Sequence, residues 1–318
     1  MGFIRYIKNQ FRHDRNMKRM LEELSLQQIE IQESIQKCWL DQKVNYLKEK
    51  IMTCKELGVT DEQICNEEVI VSFTSFGQRI SEVSLVIESI MQGTVKPNRI
   101  VLWLSEEEFK GKTLPRTLEM QKSRGLQVEF CEDIRSYKKL IPSLKKYPES
   151  CIITIDDDAV YDYDLVERLV AAHREHPDTI CACRMHKVKL GEDGKPLSYM
   201  DWDWCVEEYD KDSALLFPTG VGGILYPPQC FSSEVFKQEV FMDLCPHADD
   251  VWFYAMRLIS GTPITQVYTG KPWEHFRELP SRNIGALSNE NTDVKKCRND
   301  VQIKAVMDMY DLYQYMLA

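Results

Sequence analysis

The 318-residue chain is 43% hydrophobic and 28% charged, a balance that supports a buried core and excludes a wholly disordered tail. Its net charge of −10, from 40 bases against 50 acids, excludes the broad basic face of a nucleic-acid binder. No apolar run approaches the roughly 18 residues of a membrane span and no signal-peptide pattern opens the chain, so a soluble cytoplasmic protein is expected.

The charge is uneven. Residues 1–20 carry Arg5, Lys8, Arg12, Arg15, Lys18 and Arg19 against Asp14 alone. Phe3, Ile4, Ile7 and Phe11 sit at helical spacing among these bases. Such a segment can lie at the inner face of an anionic membrane as a peripheral contact, or stand as a solvated helical start. Residues 18–57 then read as one long helix, poor in glycine and free of proline. Leu40, Val44, Leu47, Ile51 and Cys54 follow the seam spacing of a helix pair. Leu24, Ile31, Ile35 and Cys38 continue it upstream, with a gap at Gln28. So short and imperfect a seam suits packing on the body of the protein or the pairing of two subunits through residues 18–57.

From about residue 67 strands alternate with helices. Val69–Phe73 is a short apolar strand, followed by Ile80, Val83, Ile87 and Ile90 at helical spacing up to Gly93. Ile100–Leu104, Gln127–Phe130 and Cys151–Ile155 are further buried runs. Near-continuous apolar strands alternating with helices predict an α/β fold, a mostly parallel sheet covered on both faces. Beyond residue 178 the strands look mixed, with a hairpin turn at Asp193-Gly194. The boundaries expected are an N-terminal helical extension over 1–62 and an α/β domain over 63–318. The eleven cysteines form no CxxC pair; Cys181 and Cys183, on one face of a strand, read as buried reduced thiols.

The sharpest feature is Asp156-Asp157-Asp158 directly after the Cys151–Ile155 strand. Ligands of open α/β sheets bind outside the carboxyl ends of strands. Three carboxylates there repel one another unless a cation or a ligand compensates. Asp156 and Asp158, two apart, point the same way from an extended strand end, and such oxygens suit a hard divalent cation, Mn²⁺ or Mg²⁺. The plainer reading is an acidic turn before the helix expected over Asp162–His176. Asp249-Asp250 opens another expected helix, to Ile259, where one carboxylate can cap and the other face a cleft. Thr219-Gly220-Val221-Gly222-Gly223 lacks the Lys-Ser/Thr of a phosphate-binding P-loop, yet its glycines permit close backbone approach to a ligand. Asp201-Trp202-Asp203-Trp204 mixes rings and acids, suited to a sugar or to the core. Arg79, Lys139 and Arg184 stand at strand ends or loops where cations can meet phosphates, or are surface charges.

A buried strand ending in an Asp-x-Asp triplet resembles the metal and nucleotide-sugar site of GT-A-fold glycosyltransferases. The segments VSFTSFGQRI, DIRSYKKLIP, PTGVGGILYPP, HADDVWF and WEHF resemble, in order, motifs of the family 2-like bacterial sugar transferases, across about residues 67–315. The resemblance implies a GT-A, Rossmann-like domain that transfers a sugar, with inversion, from a nucleotide-sugar donor of the UDP class. The acceptor it implies is a hydroxyl of a glycan or glycolipid, as in polysaccharide biosynthesis. It implies a metal on Asp158 and His275, with Asp156 completing the shell or bonding the ribose, and Asp157 turned toward the protein. Asp250 is implied as the base, with Asp249 beside it holding acceptor hydroxyls; this chain has Ala-Asp-Asp where the family has Glu-Asp, so the two can exchange roles. Thr74, Arg79, Asp133, Lys139, Asp157, Arg184, Gly222 and Gly223 are expected donor contacts alongside Asp156, with Asp133 implied as the reader of the uracil edge. From their own chemistry Trp202 and Trp204 read as acceptor contacts, and the polar, loop-like Asn289–Asp300 as a segment that closes on donor binding.

Two other classes fit parts of the sequence. Asp156 to Val160 also matches the nucleophile loop of haloacid-dehalogenase-like phosphatases, although that motif ordinarily follows a first strand and here three precede it. A non-catalytic scaffold paired through residues 18–57 is the third.

Overall fold

The computed structural model describes residues 2–207, 213–270, 275–283, 291–292 and 297–316, excepting the side chains of residues 2–16, 21 and 22. It divides into two compact units, Met1–Glu49 and Lys50–Ala318. The first lies within helix α1 (Gly2–Thr53), which begins well before the expected residue 18. Along it Leu24, Ile31 and Ile35 are exposed. Among the described residues no helix is long and apolar enough to cross a membrane.

The helix stops four residues short of the expectation. The reason lies within the second unit, where Arg124 Nε donates to the Glu56 carbonyl at 2.8 Å and the Gly58 amide donates to the Arg124 carbonyl at 2.9 Å. These bonds draw residues 56–58 out of helical geometry.

The second unit has the expected α/β architecture. Its strands are β1 (Val69–Thr74), β2 (Arg99–Ser105), β3 (Leu126–Cys131), β4 (Cys151–Thr154), β5 (Ala159–Tyr161), β6 (Ile180–Ala182), β7 (Met185–Lys187), β8 (Leu216–Pro218), β9 (Ile224–Tyr226), β10 (Ile264–Gln266) and β11 (Phe276–Glu278). Among the described residues seven form one sheet in the order β10-β6-β9-β4-β1-β2-β3. β1 pairs in parallel with β2 and β4, with Ile70 opposite Arg99 and Ile152. Only β9 runs against its neighbours β4 and β6. That antiparallel insertion is the mixed character expected beyond residue 178, and the turn at Gly194 follows the expectation, closing on a bridge between Leu190 and Pro196.

Strands β1, β2 and β4 are buried on both faces, which is why they read as unbroken apolar runs. The helices are α2 (Val83–Met91), α3 (Glu106–Phe109), α4 (Arg116–Lys122), α5 (Ile141–Lys146), α6 (Leu165–Glu175), α7 (Gln238–Leu244), α8 (Asp249–Ser260) and α9 (Arg298–Tyr310). Helix α8 is apolar almost all round, with Val251 to Leu258 buried, so it is an interior helix rather than an amphipathic one. It ends on Gly261 in the left-handed region, φ 66°, the backbone geometry that favours glycine. Helix α6 starts at Leu165 rather than Asp162, with Asp164 at the N-cap position and its side chain paired with Arg168 at 2.6 Å.

The topology fixes where a ligand can sit. The chain steps from β1 outward to β2 and β3, then returns to place β4 on the other side of β1. Loops leaving the carboxyl ends of β1 and β4 therefore diverge and open a crevice between them, the topological switch point of a Rossmann-like sheet.

Candidate functional site

Asp156, Asp157 and Asp158 follow β4 at that switch point. Opposite them, Ser75 follows β1 and donates to Asp157 Oδ2 at 2.6 Å. Arg79 is buried beside it, with Nη1 2.9 Å from Asp157 Oδ1 and 2.8 Å from Asp158 Oδ2. Its Nη2 donates to the Arg282 carbonyl at 3.1 Å. Asp157 is the most enclosed of the three at 5% exposure, held by Ser75 and Arg79 from the protein side.

The second carboxylate pair arrives from far along the chain. Asp249 and Asp250 open α8, and Lys139 stands between them and the triplet. Its Nζ lies 2.9 Å from Asp249 Oδ2, 3.1 Å from Asp156 Oδ1 and 4.0 Å from Asp250 Oδ1. Lys139 is itself held by its backbone, since its carbonyl accepts from Ser72 Oγ of β1 at 2.6 Å. The Ser72 hydroxyl is 2.7 Å from that of Ser143, which also accepts from Trp103 Nε1 at 2.7 Å. The sequence reading placed Lys139 at donor phosphates; in the structure it joins the two carboxylate groups. Ser72, Ser75 and Ser143 escaped that reading, because a buried serine in an apolar strand has no distinguishing sequence signal.

The glycine turn completes this wall. The Gly220 amide donates to Asp250 Oδ1 and Oδ2 at 3.2 and 3.1 Å. A Cβ at Gly220 would lie 2.6 Å from Lys139 Nζ and 3.0 Å from Asp250 Oδ1, so a side chain here would displace the Lys139 ammonium from its place. Gly222 packs against Arg184, whose Nη1 donates to Thr219 Oγ1 at 2.8 Å, and Gly223 continues the turn at φ 88°. Tyr161 ties turn and triplet together. Its hydroxyl accepts from the Asp156 amide and donates to the Val221 carbonyl, both at 3.0 Å.

The electrostatics follow from this crowding. Burial, aided by Asp156 and opposed by Arg79, pushes Asp158 up to about 7. Burial also pushes Asp250 up to about 7, against Lys139 and with help from Asp249 and Asp156. Burial works against the Lys139 charge, yet Asp156, Asp249 and Asp250 outweigh it and hold the ammonium above its ordinary value. Among the described residues these five carboxylates form ion pairs with two cations, Arg79 and Lys139, so acid is in excess of its paired bases there.

The remaining expected residues make these contacts. Thr74 Oγ1 donates to the Trp103 carbonyl at 2.8 Å. Asp133 pairs with Lys138 and accepts from the Arg135 amide. Trp202, 4% exposed, packs against Tyr199 and Phe217 with ring centroids 4.9 and 5.3 Å away. Trp204 stays 40% exposed and stacks on His186 at 4.8 Å. His275 is buried, its Nε2 2.8 Å from the Gly222 carbonyl. The neighbouring Trp273 and Glu274 lie outside the described residues, as does half of the expected closing segment Asn289–Asp300.

Among the described residues, one group of potential metal ligands has all its donor atoms within 4.8 Å of one another, and it is not the triplet. It comprises Cys65, Glu67, Cys151 and His173, a set able to coordinate a divalent metal. Burial and a bond to Cys151 act oppositely on the Cys65 thiol, and the bond dominates, holding it below its ordinary value. Cys151 is raised in turn, by Cys65 first and then by burial. Cys151 therefore differs from Cys181, Cys183, Cys230 and Cys245, whose thiols burial raises.

No family model matches the chain, and no curated protein matches it. Among solved structures it has a distant likeness to CMP:2-keto-3-deoxy-manno-octonic acid synthetase complexed with CTP, at 12% identity over 63% of this chain and 88% of that one, with a TM-score of 0.37. What the chain itself carries is a Rossmann-like α/β fold and a side-chain group able to hold a divalent metal.

Proposed function

We propose that the chain is a nucleotide-sugar glycosyltransferase that inverts the anomeric centre, with a UDP-sugar as donor and a glycan or glycolipid hydroxyl as acceptor. The observation that carries this reading is the meeting of Asp156–Asp158 and Asp249-Asp250 around Lys139 at the switch point of the sheet. A hard divalent cation fits the donor set, because the crevice offers carboxylate oxygens in excess of its own cations. Asp156 and Asp158 would hold Mn²⁺ or Mg²⁺, with Arg79 giving up its bond to Asp158. When bound, such an ion supplies positive charge to the departing diphosphate.

The chain's own residues account for the rest. Asp250, pushed up to about 7 and oriented by the Gly220 amide, accepts the proton of the acceptor hydroxyl. The hydroxyl oxygen bonds to the anomeric carbon as the bond from that carbon to the diphosphate breaks. Lys139 keeps Asp249 and Asp250 in place, and Arg79 remains beside the leaving group as a fixed charge. The Gly220–Gly223 turn brings backbone close enough for contact with the sugar.

Thermal unfolding with a panel of nucleoside diphosphates tests the donor site, since ligand binding to the native state raises the midpoint. The expected result is a shift with UDP that requires Mn²⁺ and is lost in Asp158→Ala. A metal-dependent shift with GDP or CDP alone would change the donor class. No shift with any nucleotide would refute the transferase.

A further inference from the structure

At the opposite end of the sheet from the crevice, four side chains from three segments converge. Cys65 and Glu67 precede β1, Cys151 is the first residue of β4, and His173 lies on α6. Parallel pairing brings the strand starts together, with Val69 opposite Cys151 and the Cys151 amide donating to the Glu68 carbonyl at 2.9 Å. His173 Nε2 lies 3.0 Å from Glu67 Oε2 and 3.2 Å from Cys151 Sγ, and the latter is 3.9 Å from Glu67 Oε2. Arg174, beside His173 on α6, donates to the Ile64 carbonyl and holds the incoming segment against the helix.

The geometry points to a structural Zn²⁺ site formed by Cys65, Glu67, Cys151 and His173. Zn–S bonds of ~2.3 Å and Zn–N or Zn–O bonds of ~2.0–2.1 Å place tetrahedral ligands about 3.3–3.8 Å apart. The observed 3.0, 3.2 and 3.9 Å differ from those edges by a few tenths of an ångström, within reach of small rotations. The chemistry selects the metal. Two sulfurs and an imidazole suit a borderline-soft ion, whereas Mg²⁺ or Ca²⁺ wants oxygen throughout. Cys65, Cys151 and His173 are buried and Glu67 half-buried, so the four protein ligands close the shell, as in structural rather than catalytic zinc. Binding releases thiol protons to solvent. The site would clamp the segment before β1 and helix α6 to the start of β4. It is independent of the proposed crevice metal, which uses other residues.

Metal analysis of the purified full-length chain, followed by chelation and titration with Zn²⁺ and then Co²⁺, tests the assignment. One Zn²⁺ per chain is expected, with a Co²⁺ derivative showing thiolate charge-transfer absorption and intense tetrahedral bands. Cys65→Ser should weaken Zn²⁺ binding by more than the ~10–100-fold that loss of an outer-shell partner costs, and Asp158→Ala should leave it unchanged. A Co²⁺ spectrum without thiolate bands would overturn the assignment. So would Zn²⁺ binding that Cys65→Ser leaves intact, or a Cys65–Cys151 disulfide in the protein as isolated.

Discussion

Replacing Lys139 by Met keeps the aliphatic stem and deletes the ammonium that joins two halves of the site. In the native chain that group lies within 4.0 Å of Asp156, Asp249 and Asp250 and is 6% exposed. Removing one partner of a buried charge pair costs about 3–5 kcal/mol, because the other is left uncompensated. Here three carboxylates are left, but protonation caps the loss, since Asp250 already titrates near 7. At ~2 °C per kcal/mol for a body of this size, the expected drop in melting temperature is about 6–10 °C. The assay is calorimetric unfolding of Lys139→Met and the wild type, each with and without Mn²⁺. Mn²⁺ should recover more stability in the variant, where the crevice lacks one of its own cations. A melting temperature within 1–2 °C of the wild type, taken on the ~2 °C per kcal/mol scale, would refute the reasoning.

Three further outcomes follow from single sites. Asp250→Asn should lower kcat by about 10²–10⁴-fold while donor binding is kept; turnover near the wild-type rate would remove Asp250 as the base. His186 is held down to about 3 by burial first and by Arg184 second, so the unfolded chain binds a proton that the folded chain refuses. Stability from this residue is present above pH ~6.5 and falls toward pH 3, by about 2 kcal/mol between 6.5 and 5; urea titrations of His186→Gln should lose that component, and an identical pH slope would contradict it. Glu88 meets Arg124 Nη1 through both oxygens at 3.0 and 2.8 Å, with its side chain fully buried. Glu88→Gln should cost about 3–5 kcal/mol in denaturant unfolding, with partial recovery in Glu88→Gln/Arg124→Met; a loss below ~1 kcal/mol would show the pair to be inert.

The sequence by itself determined the α/β class, the presence of a long N-terminal helix and the places of β1 to β4 to within a residue at each end. Those properties rest on local periodicity and on strands buried from both sides, such as Val69–Thr74 and Cys151–Thr154, whose apolar character is continuous. Carboxylates at a strand end and at a helix start were likewise legible, because each is a short run. Tertiary structure alone decided what neutralises them. Arg79 takes Asp157 and Asp158, and Lys139 takes Asp249, across 78 to 110 residues of chain, and no spacing rule reaches that far; Lys139 also takes Asp156, 17 residues away. The same limit hid the Cys65, Glu67, Cys151 and His173 cluster. Parallel pairing of β1 with β4 and the packing of α6 create it, so its ligands have no common local motif. It also separated Trp202, sunk among Tyr199 and Phe217, from Trp204, which stays partly exposed two residues later. Adjacent side chains of one type diverge because burial is set by what the fold lays against each of them.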